Sequence, residues 1–152
     1  MMSDERYMQE ALIQAQEAFL NDEIPIGAVI VCDGEIIARG RNTVIEDMDM
    51  TCHAEINSLR KACKVLNNYR LPNCTLYTTL EPCSMCTGAI IESRIKKLVI
   101  GATDPKRGAV ISNFKIINSP VSNTKIEIVH GVLAEDCLKI IQDFFKKKRM
   151  KD

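Results

Sequence analysis

Residues 27–39 read Gly27-Ala28-Val29-Ile30-Val31-Cys32-Asp33-Gly34-Glu35-Ile36-Ile37-Ala38-Arg39. Two apolar runs flank an Asp-Gly pair, and that pair readily takes the positive φ values of a two-residue turn, so the stretch reads as a β-hairpin. Upstream, Ser3 can cap a first helix, with Asp4 and Glu5 in its first turn and Met8, Ala11, Leu12, Ala15 and Phe19 at helical spacing. Downstream, a polar loop with Asn42, Glu46, Asp47 and Asp49 leads to a second helix. Thr51 is its expected cap, and Ile56, Leu59, Cys63 and Leu66 its core face. A third strand is expected over 74–79, then a helix with Pro82 at its first position and its end near Ser93. Strands follow over 97–101 and 125–129. A last helix starts near Ala134, carries Cys137, Ile140, Ile141, Phe144 and Phe145 in register, and ends Lys146-Lys147-Lys148-Arg149. The order α-β-β-α-β-α-β-β-α argues an α/β fold of three layers, α-β-α, with a single mixed five-stranded sheet and helices on both faces.

Composition narrows the class. No repeat or linker divides the 152 residues, so one domain is expected over 1–152. Twenty basic residues balance twenty acidic ones, so any case for a nucleic-acid partner must rest on a local patch. No apolar run approaches the ~18 residues of a membrane span. The start, Met-Met-Ser-Asp-Glu-Arg, is acidic where a targeting signal would be basic and then apolar, which leads us to expect a soluble cytoplasmic protein with no membrane partner. Seven cysteines are an odd number for a disulfide scaffold. They suit a reducing compartment, buried thiols and a metal. Cys32, Cys63, Cys74 and Cys137 fall on apolar faces and read as small core residues, and His130 reads as a surface residue.

Two short motifs carry the chemistry. Cys83 and Cys86 are three apart at a helix start, so their sulfurs share one face and sit where the helix dipole favours thiolate. His53, at the start of another helix, adds a neutral nitrogen. One His and two Cys hold zinc with a fourth position open to water. Glu55, two residues on, can lean past the same helix end and move a proton without ligating the metal. A lone C-x-x-C would equally suit a redox pair or half a structural knuckle, and H-x-E alone says little. Together, with Pro82 before the first Cys, they favour catalytic zinc. If Cys52 were a fourth ligand, the site would be closed and structural.

His53-Ala54-Glu55 and Pro82-Cys83-Ser84-Met85-Cys86 form the pattern H-x-E…P-C-x-x-C, by which the chain resembles the zinc nucleobase deaminases of the cytidine deaminase-like superfamily. Within it the chain resembles the tRNA-specific adenosine deaminases over residues 7–149. The likeness includes Pro25-Ile26-Gly27-Ala28-Val29, Gly40-Arg41-Asn42, Asn68-Tyr69-Arg70-Leu71, Leu76-Tyr77-Thr78-Thr79-Leu80-Glu81, Gly101-Ala102-Thr103-Asp104-Pro105-Lys106, Gly131-Val132-Leu133 and Phe144-Phe145-Lys146. The resemblance implies a cytidine deaminase-like fold, conversion of the wobble adenosine of a tRNA anticodon loop to inosine, and a homodimer with a contact over 89–94. It implies one Zn2+ per subunit on His53, Cys83 and Cys86, and proton transfer by Glu55. Asn42 would bond the flipped nucleoside, and the backbone at Ala54 would read the purine edge. Asp104, Lys106, Phe145 and Arg149 would touch neighbouring nucleotides. The basic, aromatic tail also suits single-stranded RNA in its own right, though a solvated helix end whose lysines offset the dipole has the same composition.

Three places depart from the family pattern. Val110-Ile111-Ser112 follows Gly108-Ala109 where Gly-Ser is common, Asn123-Thr124 stands for Asn-His, and Met50-Thr51-Cys52-His53 for Pro-Thr-Ala-His. The first two are expected on the RNA-side rim, and the third either tunes the metal site or only its packing. Two other functions compete. One is deamination of a free base: Arg60-Lys61-Ala62-Cys63-Lys64-Val65-Leu66 resembles guanine deaminases, and Thr79 with Met85-Cys86-Thr87-Gly88-Ala89-Ile90-Ile91 resembles fungal-type cytosine deaminases. The other is a structural zinc module or silent partner subunit, against which the intact Glu55 argues.

Overall fold

A computed structural model describes residues 3–122 and 124–151. The elements are α1 (Asp4–Leu20), β1 (Gly27–Cys32), β2 (Glu35–Arg41), α2 (Ala54–Leu66), β3 (Cys74–Leu80), α3 (Ser84–Ser93), β4 (Lys97–Ala102), β5 (Glu127–His130) and α4 (Ala134–Lys151). The strands form one sheet in the order β2-β1-β3-β4-β5. β1 is antiparallel to both β2 and β3, whereas β3, β4 and β5 run parallel, so the sheet is mixed as expected. Asp33 and Gly34 both take positive φ, 51° and 78°, the geometry of the hairpin turn.

Side-chain alternation divides the core. Ala28 and Ile30 of β1, Cys74 and Leu76 of β3, and Leu98 and Ile100 of β4 face α2 and α3. Val29, Val31, Tyr77 and Val99 face the other way, toward Tyr7, Met8 and Ala11 of α1 and Cys137 of α4. Because both faces are covered, the central strands read as continuous apolar runs rather than alternating ones. Phe144 is buried and meets Phe19 edge-on at 5.6 Å, which ties α4 to α1.

Several element boundaries differ from the sequence expectation, each for a local reason. Thr51 does not cap α2: its hydroxyl and its amide both donate to Asp49 Oδ1, at 2.7 and 2.8 Å, and the helix begins three residues later. Pro82 lies outside α3, which starts at Ser84. β5 starts at Glu127 because the backbone N–H and C=O of Ile126 are taken by the Asn118 side chain, at 3.1 Å each. The buried stripe of α2 ends at Ala62. Leu66 lies in the last turn, closed by the left-handed Asn67, and is 38% exposed.

Gly40 sets how closely β2 meets α2. A Cβ there would stand 2.5 Å from the Ala54 carbonyl oxygen and 2.7 Å from the Ser58 nitrogen, both backbone atoms. Gly40→Ala must therefore push the first turn of α2 off the sheet. The expected result is a loss of about 1–3 kcal/mol in urea unfolding. Unchanged stability would show that α2 is not seated by this contact.

Candidate active site

His53 is the N-cap of α2 and Cys83 that of α3; both are extended (φ −72°, ψ 157° and φ −73°, ψ 177°), and neither side chain caps its own helix. An N-cap side chain ordinarily turns back to bond first-turn amides. Here the two reach away from their helices into a shared space. His53 Nδ1 lies 3.6 Å from Cys83 Sγ and 3.5 Å from Cys86 Sγ, and the three ligand atoms all fall within 4.8 Å of one another. Among the described residues this is the one His/Cys/carboxylate cluster of three or more close enough to hold a metal ion. Cys52 is outside it. Its thiol is buried beside the Arg60 guanidinium, 3.8 Å away, so the Cys52 departure is a matter of packing, while Met50 is exposed and nothing in the structure explains it.

The electrostatics suit a cation. The Cys83 thiol is pulled down to about 3 by hydrogen bonds from Cys86 and then His53, with burial opposing. Its interaction with Cys83, then burial, push Cys86 up, and the hydrogen bond with Cys83 pushes His53 up. The negative charge thus rests first on Cys83, flanked by donors. Glu55, the second residue of α2, is 4% exposed. Burial holds its carboxyl up to about 7, and the Cys83 charge adds to that.

His53, Glu55 and Cys83 open onto a cleft of about 450 Å³ beyond the carboxyl ends of β3 and β4, the usual place for a ligand in such a sheet. Of the other sequence-predicted residues, Asp104, Lys106 and Phe145 line this cleft. Phe145 is 41% exposed and packs edge-on against Phe144. Arg149, Asn42 and Ala54 do not line it. Arg149 is exposed four residues beyond Phe145 on the same helix, and Ala54 is buried. Asn42 is buried beside the cleft, its Nδ2 donating to the Ile24 carbonyl at 3.4 Å, while its Oδ1 has no partner. In the basic tail, Lys148 pairs with Asp22 at 2.7 Å, and Lys147 sits over the Phe19 ring. These two charges therefore do belong to a folded helix end, in line with the blander reading of that segment.

Sequence reasoning missed Ile24, Arg107, Leu138, Ile141 and Glu81, all of which line the cleft. For Glu81 the only signal was its place before Pro82-Cys83; nothing in the pattern says that the carboxylate is buried. Burial would raise its pKa, but hydrogen bonds from Ser112, Asp104 and Ile111 outweigh this and hold it down at about 2. The expected rim positions need correcting. Val110 is 5% exposed and belongs to the core facing α2 and α3, with Ile111 packed on that core, since both continue its apolar layer. Thr124 lines a different hollow, with Tyr69 and Lys96, and Asn123 lies outside the described residues.

The profile of the MafB19-like deaminase family matches residues 2–149. A tRNA-specific adenosine deaminase of Haemophilus influenzae is 50% identical over 96% of this chain and 85% of its own length. A solved tRNA:A34 deaminase, which edits A to I at the wobble position of transfer RNA, superposes with a TM-score of 0.86 at 44% identity, over 89% of this chain and 98% of that one. A guanine deaminase from Bacillus subtilis superposes at 0.66 with 38% identity over 95% of both chains. The mixed sheet, the converging helix starts and the His/Cys/Cys cluster beside a buried Glu define a deaminase. Within that class, the chain belongs to the tRNA-specific adenosine deaminase family.

Proposed function

We propose that this chain is a zinc-dependent hydrolase that converts the wobble adenosine of a tRNA anticodon loop to inosine, acting as one deaminase domain. The observation that carries the zinc reading is the ligand spacing. A tetrahedral ion at ordinary Zn–N and Zn–S bond lengths sets nitrogen and sulfur about 3.6 Å apart, and His53 Nδ1 stands 3.5–3.6 Å from the two sulfurs. His53, Cys83 and Cys86 would hold one ion per subunit, and Cys52, turned to Arg60, would add no fourth protein ligand. Zinc bound there supplies a Lewis acid that brings the pKa of a water toward ~7.

Glu55 takes a proton from the attacking water and passes it toward the departing amino group. The water oxygen ends on C6 and its second proton on N1, the bond from C6 to the exocyclic nitrogen breaks, and ammonia leaves. Burial keeps this proton transfer out of bulk water. Asn42 bonds the flipped nucleoside, which its unpartnered Oδ1 supports, and the backbone at Ala54 meets the purine edge. An anticodon loop already presents unstacked bases, so the cost of extruding one is small. Asp104, Lys106, Phe145 and Arg149 receive neighbouring nucleotides.

The protein works in the cytoplasm as a homodimer. A shallow hollow of about 950 Å³ between α2 and α3, lined by Ala89, Glu92, Ser93 and Arg94, supports a contact over 89–94. Among the described residues no helix is long and apolar enough to cross a membrane.

The test offers zinc-loaded protein an anticodon stem-loop with a wobble adenosine, and separately free adenosine, cytosine and guanine. Inosine in the RNA alone is expected, with no product from Glu55→Ala. Turnover of guanine with none in RNA would replace this reading with that of a free-base deaminase.

A further inference from the structure

Glu81 is 2% exposed and outside the metal cluster, yet its two carboxylate oxygens accept five hydrogen bonds. Oε1 accepts from the Asp104 amide at 3.0 Å and the Ser112 hydroxyl at 2.6 Å. Oε2 accepts from the amides of Val110, Ile111 and Ser112 at 3.1, 2.8 and 2.8 Å. No ion pair with Glu81 occurs among the described residues, so the charge is met by the backbone of one loop. That loop is wrapped closely enough that a Cβ at Gly108 would run into the Glu81 carboxylate.

The two ends of this arrangement are both at the cleft. On one side, Glu81 leads through Pro82 to Cys83, and the Pro82 carbonyl accepts from Ala109 at 2.9 Å. On the other, the Asp104 carboxylate receives the amides of Lys106 and Arg107 at 3.1 and 3.2 Å, and all three residues line the cleft. One carboxylate thus joins the strand that leads to Cys83 to the loop that lines the cleft with Phe145.

We propose that Glu81 is a positioning residue for deamination: its carboxylate fixes the loop over 103–112 so that Asp104, Lys106 and Arg107 stand at the cleft mouth to receive the nucleotides flanking the target base. This rests on reading the cleft as the site of an RNA adenosine. Four of the five donors are backbone amides, so most of what Glu81 holds is the loop's main chain, with the Ser112 hydroxyl added to it. The bonds from 110 and 111 come from main-chain N–H groups, so they do not depend on which side chains stand there.

Glu81→Gln keeps the volume but turns an amide NH2 toward two or three N–H or O–H donors. With the stem-loop substrate, KM is expected to rise about tenfold or more, with kcat within about threefold and zinc content unchanged. Amide exchange at 104 and 110–112 should accelerate. Ser112→Ala removes one donor and leaves the charge. It is expected to move KM the same way by a smaller factor, and it carries the test should Glu81→Gln not fold. A fall in kcat or in bound zinc at unchanged KM would overturn the proposal by making Glu81 part of the metal site. Unchanged KM despite faster exchange would overturn it by showing that the loop need not be held. If the parent protein makes no inosine in the stem-loop, the RNA reading has failed and takes the proposal with it; an active parent and an unaffected Glu81→Gln refute the proposal alone.

Discussion

Glu55→Gln should lower kcat on the RNA substrate by about 10²–10⁴-fold, the usual contribution of a positioned proton carrier. That corresponds to roughly 3–5 kcal/mol of barrier. Glutamine fills the same buried space at the second position of α2, so neither the His53 N-cap nor the contact with the sheet is disturbed. Zinc content should equal that of the parent, and thermal stability should hold or rise, since a buried carboxyl whose ionisation burial opposes is removed. What is lost is the ability to take a proton from water and return it to nitrogen. Activity within about tenfold of the parent would mean that another group carries the proton.

The second large effect is on the metal ligands. Cys83→Ala should abolish turnover and leave less than stoichiometric zinc, since two ligands remain of three. Stability should fall as well, for a reason specific to this site. His53 and Cys83 occupy N-cap positions without capping, which forgoes about 1 kcal/mol at each helix start. A bound metal would offset this, together with the crowding of two sulfurs beside one imidazole. At free zinc near 100 Kd the linkage is about 2.7 kcal/mol, a melting shift of roughly 5–10 °C for a chain of this size. Chelator-treated parent protein should melt lower by that amount and recover on adding zinc, while Cys83→Ala should show no zinc-dependent shift. A melting temperature indifferent to zinc would remove the metal from the account of this cluster.

The residues of the candidate site were largely legible from spacing. Cys83 and Cys86 three apart, and His53 two before Glu55, are local patterns that a helix start turns into geometry without knowledge of the rest of the chain. The strands were legible because hairpin and core strands differ so sharply from the polar loops between them. The helix starts were placed too early, at Thr51 and Pro82, because good capping chemistry was available there. Asp49 took the Thr51 hydroxyl, and the helices began where His53 and Cys83 could leave their own amides and face each other. Propensity ranks a Thr above a His as a cap; the Asp49 contact with Thr51 reverses that order.

The departures at Val110-Ile111 show the limit of reading a loop by position. An apolar pair in a loop between strands looks like rim, yet both residues close the core against α2 and α3. The backbone of the same pair serves the mouth through Glu81. Nothing in the sequence distinguishes a buried Glu from a solvated one, because its partners, the amides of Asp104, Val110, Ile111 and Ser112, are 23 to 31 residues away and backbone donors have no letter in the sequence.

By itself, then, the sequence determined the element order, the two-sided core and the three side chains that the structure brings together as a cluster able to hold a metal, since each rests on periodicity or on spacing within one turn. Only the tertiary structure decided that His53 and the two cysteines, 30 and 33 positions apart, meet within 3.6 Å. It also decided that Cys52 turns away to Arg60, that Asn42 keeps one oxygen free beside the cleft, and that Glu81 gathers a distant loop. Pairing β1 with β3, and β3 with β4, sets these choices, because sheet order fixes which helix starts and loops share one edge.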